Sequence, residues 1–290
     1  HHEALAVGDP ERAFAWAKRA AERASRLLAH EQAAVHWTQA VTALEQGEAV
    51  DPQRRLDALL SLGEAHRLAG DRVRRRAAFD VAMENARALD RPLEHARAAI
   101  GFCDLSEWAP DDAEARGAVE TALATLPAEA GVERARLLTR TAYLSARGDL
   151  GRAMPSAREA VEMARSIGDP LARQEALYTL FFLLAGPDHL AERGALAREA
   201  DEVARGGGTA DPTVITLLDL ACDCMVQGDA RSARRWRAAA GEISGREPHL
   251  GRYWHLRVYD AGLAVHEGRF EEAARTIEES ARVGQRIDHP

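Results

Sequence analysis

Three groups of residues have the types and spacing to do chemistry. Arg72, Arg74, Arg75 and Arg76 pack four guanidiniums into five positions behind the turn Gly70-Asp71, a cluster that could cradle a phosphate or follow a nucleic-acid backbone. His30-Glu31 begins like a zinc-binding helix, but the next histidine is His36. Six residues on a helix is about 600° of rotation, so the two rings point apart and cannot share a metal. Cys222-Asp223-Cys224 has one intervening residue. On a helix its thiols diverge by about 200°, which favours buried structural cysteines over a metal pair.

Hydrolytic motifs are missing. Lys18 is the only lysine and follows Ala17, so there is no Gly-Lys-Ser/Thr phosphate loop. No serine stands in a Gly-x-Ser-x-Gly elbow, and acid pairs such as Glu271-Glu272 sit where a helix start favours negative charge. The chain therefore reads as no enzyme, with no cofactor and no metal site. The arginine cluster and a second one, Arg231, Arg234, Arg235 and Arg237, are surrounded by acids in a chain of net charge −8. With Trp236 the one aromatic interleaved among them, they read as solvated or internally paired helix faces, and no direct nucleic-acid binding is expected.

What must position any site is a series of helices. Hydrophobic residues are 46% of the chain but aromatics only 5%, and the alanine-rich remainder favours closely packed helices over sheets. Turn signals recur at Gly70-Asp71, Gly148-Asp149, Gly186-Pro187-Asp188, Gly228-Asp229 and Gly268-Arg269, with glycine intervals of 78, 38, 42 and 40 residues. The first interval is two periods, with Ala109-Pro110-Asp111 supplying the missing turn, and counting back from Gly70 lands at Ala29-His30. Glycine can end one helix in the left-handed conformation and aspartate can cap the next. Asp9-Pro10, Asp51-Pro52, Asp169-Pro170 and Asp211-Pro212 are helix-start signals of a second kind. Nothing alternates with period two for long enough to propose a strand.

A period near 40 residues resembles the tetratricopeptide repeat, with large and small apolar positions in the first helix and small ones in the second. Leu59, Leu62 and Gly63 with Phe79 and Ala82, or Leu217, Leu220 and Ala221 with Ala233 and Ala240, carry that register. The expectation is an all-α, right-handed superhelical solenoid of about seven hairpins in a single domain, 1–290. The hairpins run approximately over 10–47, 52–89, 91–126, 131–167, 170–205, 212–244 and 248–286. Arg75 breaks the pattern by occupying a slot that holds Ala153 and Ala233 elsewhere, so it is expected to snorkel outward or to pair with an acid such as Glu64.

His1-His2 before an Ala-x-Gly-Asp turn, Ala20-Ala21-Glu22-Arg23-Ala24 and Glu31-Gln32-Ala33-Ala34 resemble the start of the repeat region of bacterial multidomain signal-transduction ATPases. This group includes the large ATP-binding LuxR-type transcriptional regulators and the ATPase-linked nucleotide cyclases. The resemblance covers about 45 residues. It implies a cytoplasmic sensor or scaffold segment, excised from a longer chain, whose partners include that chain's ATPase and DNA-binding or other effector modules. The three cysteines, Cys103, Cys222 and Cys224, fit a reduced compartment. Apolar runs such as ALYTLFFLLAG at 176–186 fall short of the ~18 residues that span a bilayer, and no membrane association is expected.

In stacked hairpins the first helices line the concave face, the default binding surface. Its inward positions in the C-terminal repeats read Leu180 and Leu183; Leu218, Asp219, Cys222 and Met225; and His255, Tyr259, Gly262 and His266. The last four recur as one helical stripe. This apolar wall with a carboxylate, a phenol and two imidazoles suits an inducer small molecule or a partner protein or peptide; the alternative is that its aliphatic members are simply inter-helix core. Asp57, Glu64 and Glu107 make the N-terminal part of the same face acidic. A protein-binding adaptor with no small ligand is the rival reading.

Overall fold

Aspartates start the helices of this protein. In the computed structural model, which describes residues 9–47, 51–105, 112–206, 211–246 and 250–286, a carboxylate precedes helix after helix. The Asp9, Asp51, Asp71, Asp112, Asp149, Asp169 and Asp229 side chains each accept a backbone N–H two or three residues on, at 2.8–3.0 Å. Each such cap is worth about 1 kcal/mol. The described residues contain fourteen α-helices, a 3-10 turn and no strand. The Ala109-Pro110-Asp111 turn lies outside them, and Asp112 rather than Asp111 is the cap that follows.

Contacts divide the chain into two compact units, 1–148 and 149–290. The first holds α1 (Pro10–Arg26), α2 (His30–Glu45), α3 (Pro52–Leu68), α4 (Arg72–Ala88), α5 (Pro92–Phe102), α6 (Ala113–Thr125) and α7 (Gly131–Ser145). The second holds α8 (Leu150–Ile167), α9 (Pro170–Leu183), α10 (Leu190–Arg205), α11 (Asp211–Val226), α12 (Ala230–Arg246), α13 (Leu250–His266) and α14 (Phe270–Arg286), with the 3-10 turn Pro187–His189 between α9 and α10. The division falls inside the expected hairpin 131–167. Within each unit every helix packs on its neighbours in sequence. The first helices of successive hairpins also touch, α3 on α5 and α5 on α7 in one unit, α9 on α11 and α11 on α13 in the other. This is an all-α helical-repeat architecture.

Small residues make the stacking close. Ala13, Ala17, Ala21 and Ala24 bury one stripe of α1, and Ala153, Ala157, Ala160 and Ala164 one stripe of α8. Several turns between helices close by one device. After α3, Gly70 takes φ +74° and the Asp71 N–H donates to the His66 carbonyl at 3.0 Å. The same six-to-one bond recurs after α11 at Gly228 and after α13 at Gly268. Two turns use it without glycine, at Leu28 (φ +56°) and Asp90 (φ +52°), positions that composition alone does not flag. Gly148, by contrast, is not left-handed.

Two features of the first unit correct or extend the sequence reading. Phe79 of α4 is buried between Gly63 of α3 and Gly101 of α5: a methyl on Gly63 would come 2.7 Å from its ring, and one on Gly101 closer still. Arg75 neither snorkels nor pairs with Glu64, which instead binds Arg67 at 2.7 Å. It is 1% exposed, with its guanidinium 3.3 Å from Asp104 just beyond α5. The small-residue slot holds a buried ion pair because the acid comes from the next hairpin, a neighbour that local spacing does not reveal.

Candidate functional site

The face expected to bind a ligand lies in the second unit, on α9, α11 and α13. Leu180 and Leu218 are buried, and they belong to the packing between helices rather than to an open surface. Leu183, Asp219, Met225 and His255 are half-buried, Tyr259 is buried, and Cys222 and His266 are exposed. Cys224 is the buried member of the cysteine pair, and Cys222 is on the surface, against the expectation that both are structural. Asp57 and Glu64 are taken up on their own helix, Asp57 by Gln53 at 3.0 Å and Glu64 by Arg67. Glu107 lies outside the described residues.

Three of these side chains, Met225, Tyr259 and Cys222, converge where α11 meets α13, and Asp219 neighbours Cys222 along α11. The Tyr259 hydroxyl donates to Met225 Sδ at 3.4 Å. Burial pushes the phenol up to about 12, with the neighbouring Cys222, Asp260 and Cys224 adding to the shift. Although Cys222 is exposed as a residue, desolvation pushes its thiol up to about 11, aided by Asp219 and Asp223. Asp219 is the most perturbed carboxyl: burial raises it to about 6, Arg193 opposes the shift and Asp223 adds to it. The Asp219 carboxyl makes no hydrogen bond or ion pair among the described residues. A carboxyl raised to about 6 is mostly ionised at neutral pH and accepts there, and it gains a proton to donate as the pH falls towards 6. His255 packs edge-on against Trp254, with ring centres 4.9 Å apart, and His266 is exposed.

Arg193 and Asp223 complete the neighbourhood and were not among the expected residues. Arg193 of α10 is buried, donates to Asp223 at 2.6 Å and to the Phe181 carbonyl at 2.7 Å, and lies 3.8 Å over the Phe181 ring. A sequence signal for it exists. Arg193 is the fourth residue of its helix, the register of Arg75 in α4 and of Ala153, Ala233 and Ala273 in other second helices. Buried arginine in an alanine slot marks the places where a guanidinium satisfies a carbonyl or carboxylate of a neighbouring helix.

Among the described residues no group of three or more His, Cys, Asp or Glu side chains could hold a metal ion, and no helix is long and apolar enough to cross a membrane. Two members of the second arginine cluster are paired internally: Arg237 forks onto Asp260 with two bonds of 2.7 Å, and Arg234 reaches Glu267 at 3.4 Å. No known family model matches this chain, and no curated protein matches it. The class that fold and site define is a helical-repeat protein with a polar group set into an inter-repeat face.

Proposed function

We propose that this chain is the tetratricopeptide-like sensor or scaffold region of a bacterial transcriptional regulator of the LuxR-type ATPase group. In this reading the α9–α11–α13 face binds an inducer, and binding controls an attached ATPase and DNA-binding module. The observation that carries the ligand reading is Asp219, a desolvated carboxyl with no hydrogen-bonding partner among the described residues, set beside Cys222, whose other neighbour Tyr259 bonds Met225. Burying such a group is costly unless something completes it. An inducer with a hydroxyl or amine for Asp219 and an apolar body for Met225 would supply that partner. The group's position between successive repeats lets a ligand favour one packing of α11 against α13 over another, which is what a sensor requires.

The test is native mass spectrometry with thermal melting across candidate inducers. The expected result is one ligand class that raises the melting temperature of the wild type and leaves Asp219→Leu unmoved. Unchanged melting and no retained mass across the panel would overturn ligand sensing. One observation favours a protein partner instead, since α13 also exposes Val258 and Val265. The regulatory context is tested by the parent gene, where a Gly-Lys-Ser/Thr loop upstream and a helix-turn-helix downstream are expected.

A further inference from the structure

The first unit contains a cavity that the sequence reading does not touch. It lies between α4, α5 and α6 and has a volume of about 460 Å³, within the range of small-molecule sites. Helix α4 lines it with Arg76, Asp80, Met83 and Arg87, spaced as one helical stripe. The two ends of that stripe differ in kind. At one end Arg76 is spent: it pairs with Asp112, reaches Glu114 at 2.8 Å and stacks 4.0 Å over Phe102. At the other end Arg87 donates only its Nε, to the Met83 carbonyl at 3.4 Å, and makes no ion pair among the described residues.

Beside Arg87 stands His95 of α5, also on the cavity wall. It is 3% exposed, yet its ring makes no hydrogen bond among the described residues. Burial, and then the charge of Arg87, hold the imidazole below its ordinary range, so at neutral pH it is uncharged and keeps one N–H to give. A buried imidazole and a guanidinium that lack polar side-chain partners among the described residues, side by side in an open cavity, form the donor half of an anion site. Asp80 is the one acid on the wall without an ion pair among the described residues, and it lies seven residues, about 10 Å, along the helix from Arg87. That places the anion at the Arg87 end and leaves the stretch past Met83 towards the Phe102 ring for an uncharged, apolar body.

We propose that this cavity binds a small organic monocarboxylate, its carboxylate accepting from Arg87 and His95 and its apolar body lying against Met83 and Phe102. The site belongs to the first unit alone and is independent of the Asp219 face. Gly117 of α6 gives the means of blocking it, because a side chain there meets no atom within 4 Å of its Cβ position and would grow into open space on the cavity wall.

The test is an NMR titration of the full chain with 3-phenylpropanoate and octanoate, each against its matched alcohol. At least one acid is expected to bind at least tenfold more tightly than its alcohol. Arg87→Gln should weaken the acid about tenfold and leave the alcohol unchanged, as befits the loss of charge-assisted hydrogen bonds. Gly117→Leu should abolish binding of both without lowering the melting temperature, since leucine is the better helix former. Binding of neither acid, equal affinity for acid and alcohol, or undiminished binding by Gly117→Leu would each overturn the proposal.

Discussion

Replacing Gly101 by alanine sets two well-calibrated effects against each other. Alanine in a helix is favoured over glycine by at most ~1 kcal/mol, less near the end of α5, where Gly101 lies. Against this, the new methyl would fall inside contact distance of the Phe79 ring. The ring cannot retreat, because Gly63 on the opposite helix is itself within 2.7 Å of a methyl's reach. Overpacking a rigid core costs about 1–3 kcal/mol, and a closure this tight on both sides belongs at the upper end. Gly101→Ala should therefore destabilise the first unit by a net ~2 kcal/mol. Gly117→Ala, in α6 with nothing within 4 Å, should stabilise the same unit by ~1 kcal/mol. Urea unfolding followed by circular dichroism, with hydrogen exchange of the α3–α6 amides to read this unit by itself, measures both. In a double-mutant cycle Phe79→Leu should recover at least 1 kcal/mol of the loss in the Gly101→Ala background. If Gly101→Ala stabilises as Gly117→Ala does, or the coupling is within 0.3 kcal/mol of zero, Phe79 is not held as described.

Arg75→Ala should cost about 3–5 kcal/mol, because it breaks the buried pair with Asp104, whereas Arg75→Met combined with Asp104→Leu should restore most of it; chemical denaturation of the two variants against the wild type decides. Leu28→Gly should stabilise by about 0.5–1 kcal/mol by relieving a left-handed leucine, and Asp90→Gly by less, since aspartate tolerates that conformation. Asp219 is raised when folded, so between pH ~4 and ~6 the native state holds a proton the unfolded chain has released, and stability falls as pH rises through that window. The loss is up to ~3 kcal/mol; melting curves should show Asp219→Asn more stable than wild type at pH 7, with the difference vanishing near pH 4. His66 and His95 are held down by burial. Below pH ~6.5 the unfolded chain binds protons they do not, so their contribution is lost as pH falls, and His66→Gln should flatten that limb of the melting-temperature profile.

Much of the architecture was legible because its causes are local. An Asp-Pro pair caps a helix whatever surrounds it, and glycine at position 70, 228 or 268 takes the left-handed turn because no side chain forbids it. Alanines three and four apart define a stripe that can be buried only against another helix. Those rules place the helices and order their pairing. They do not reach the turns at Leu28 and Asp90, where packing on either side imposes a conformation the residue disfavours. Nor do they divide the chain at Gly148, since contact density is a property of the assembled helices.

The site was legible only in outline. Helical phase puts Met225 and Tyr259 on facing stripes of their helices, and a hydrogen bond joins the two side chains. Leu180 and Leu218 share the phase but not the exposure, and phase alone carries no information on depth. Arg75, Arg193, Arg87 and His95 show what tertiary structure decides. Whether a charged side chain is solvated, paired or waiting for a partner depends on which atoms from distant helices arrive beside it. The sequence by itself determined where the helices start, stop and turn, because those choices are made within a few residues. Tertiary structure decided which polar groups are satisfied, because desolvation and pairing are made between residues that lie 29 apart for Arg75 and Asp104 and 30 for Arg193 and Asp223.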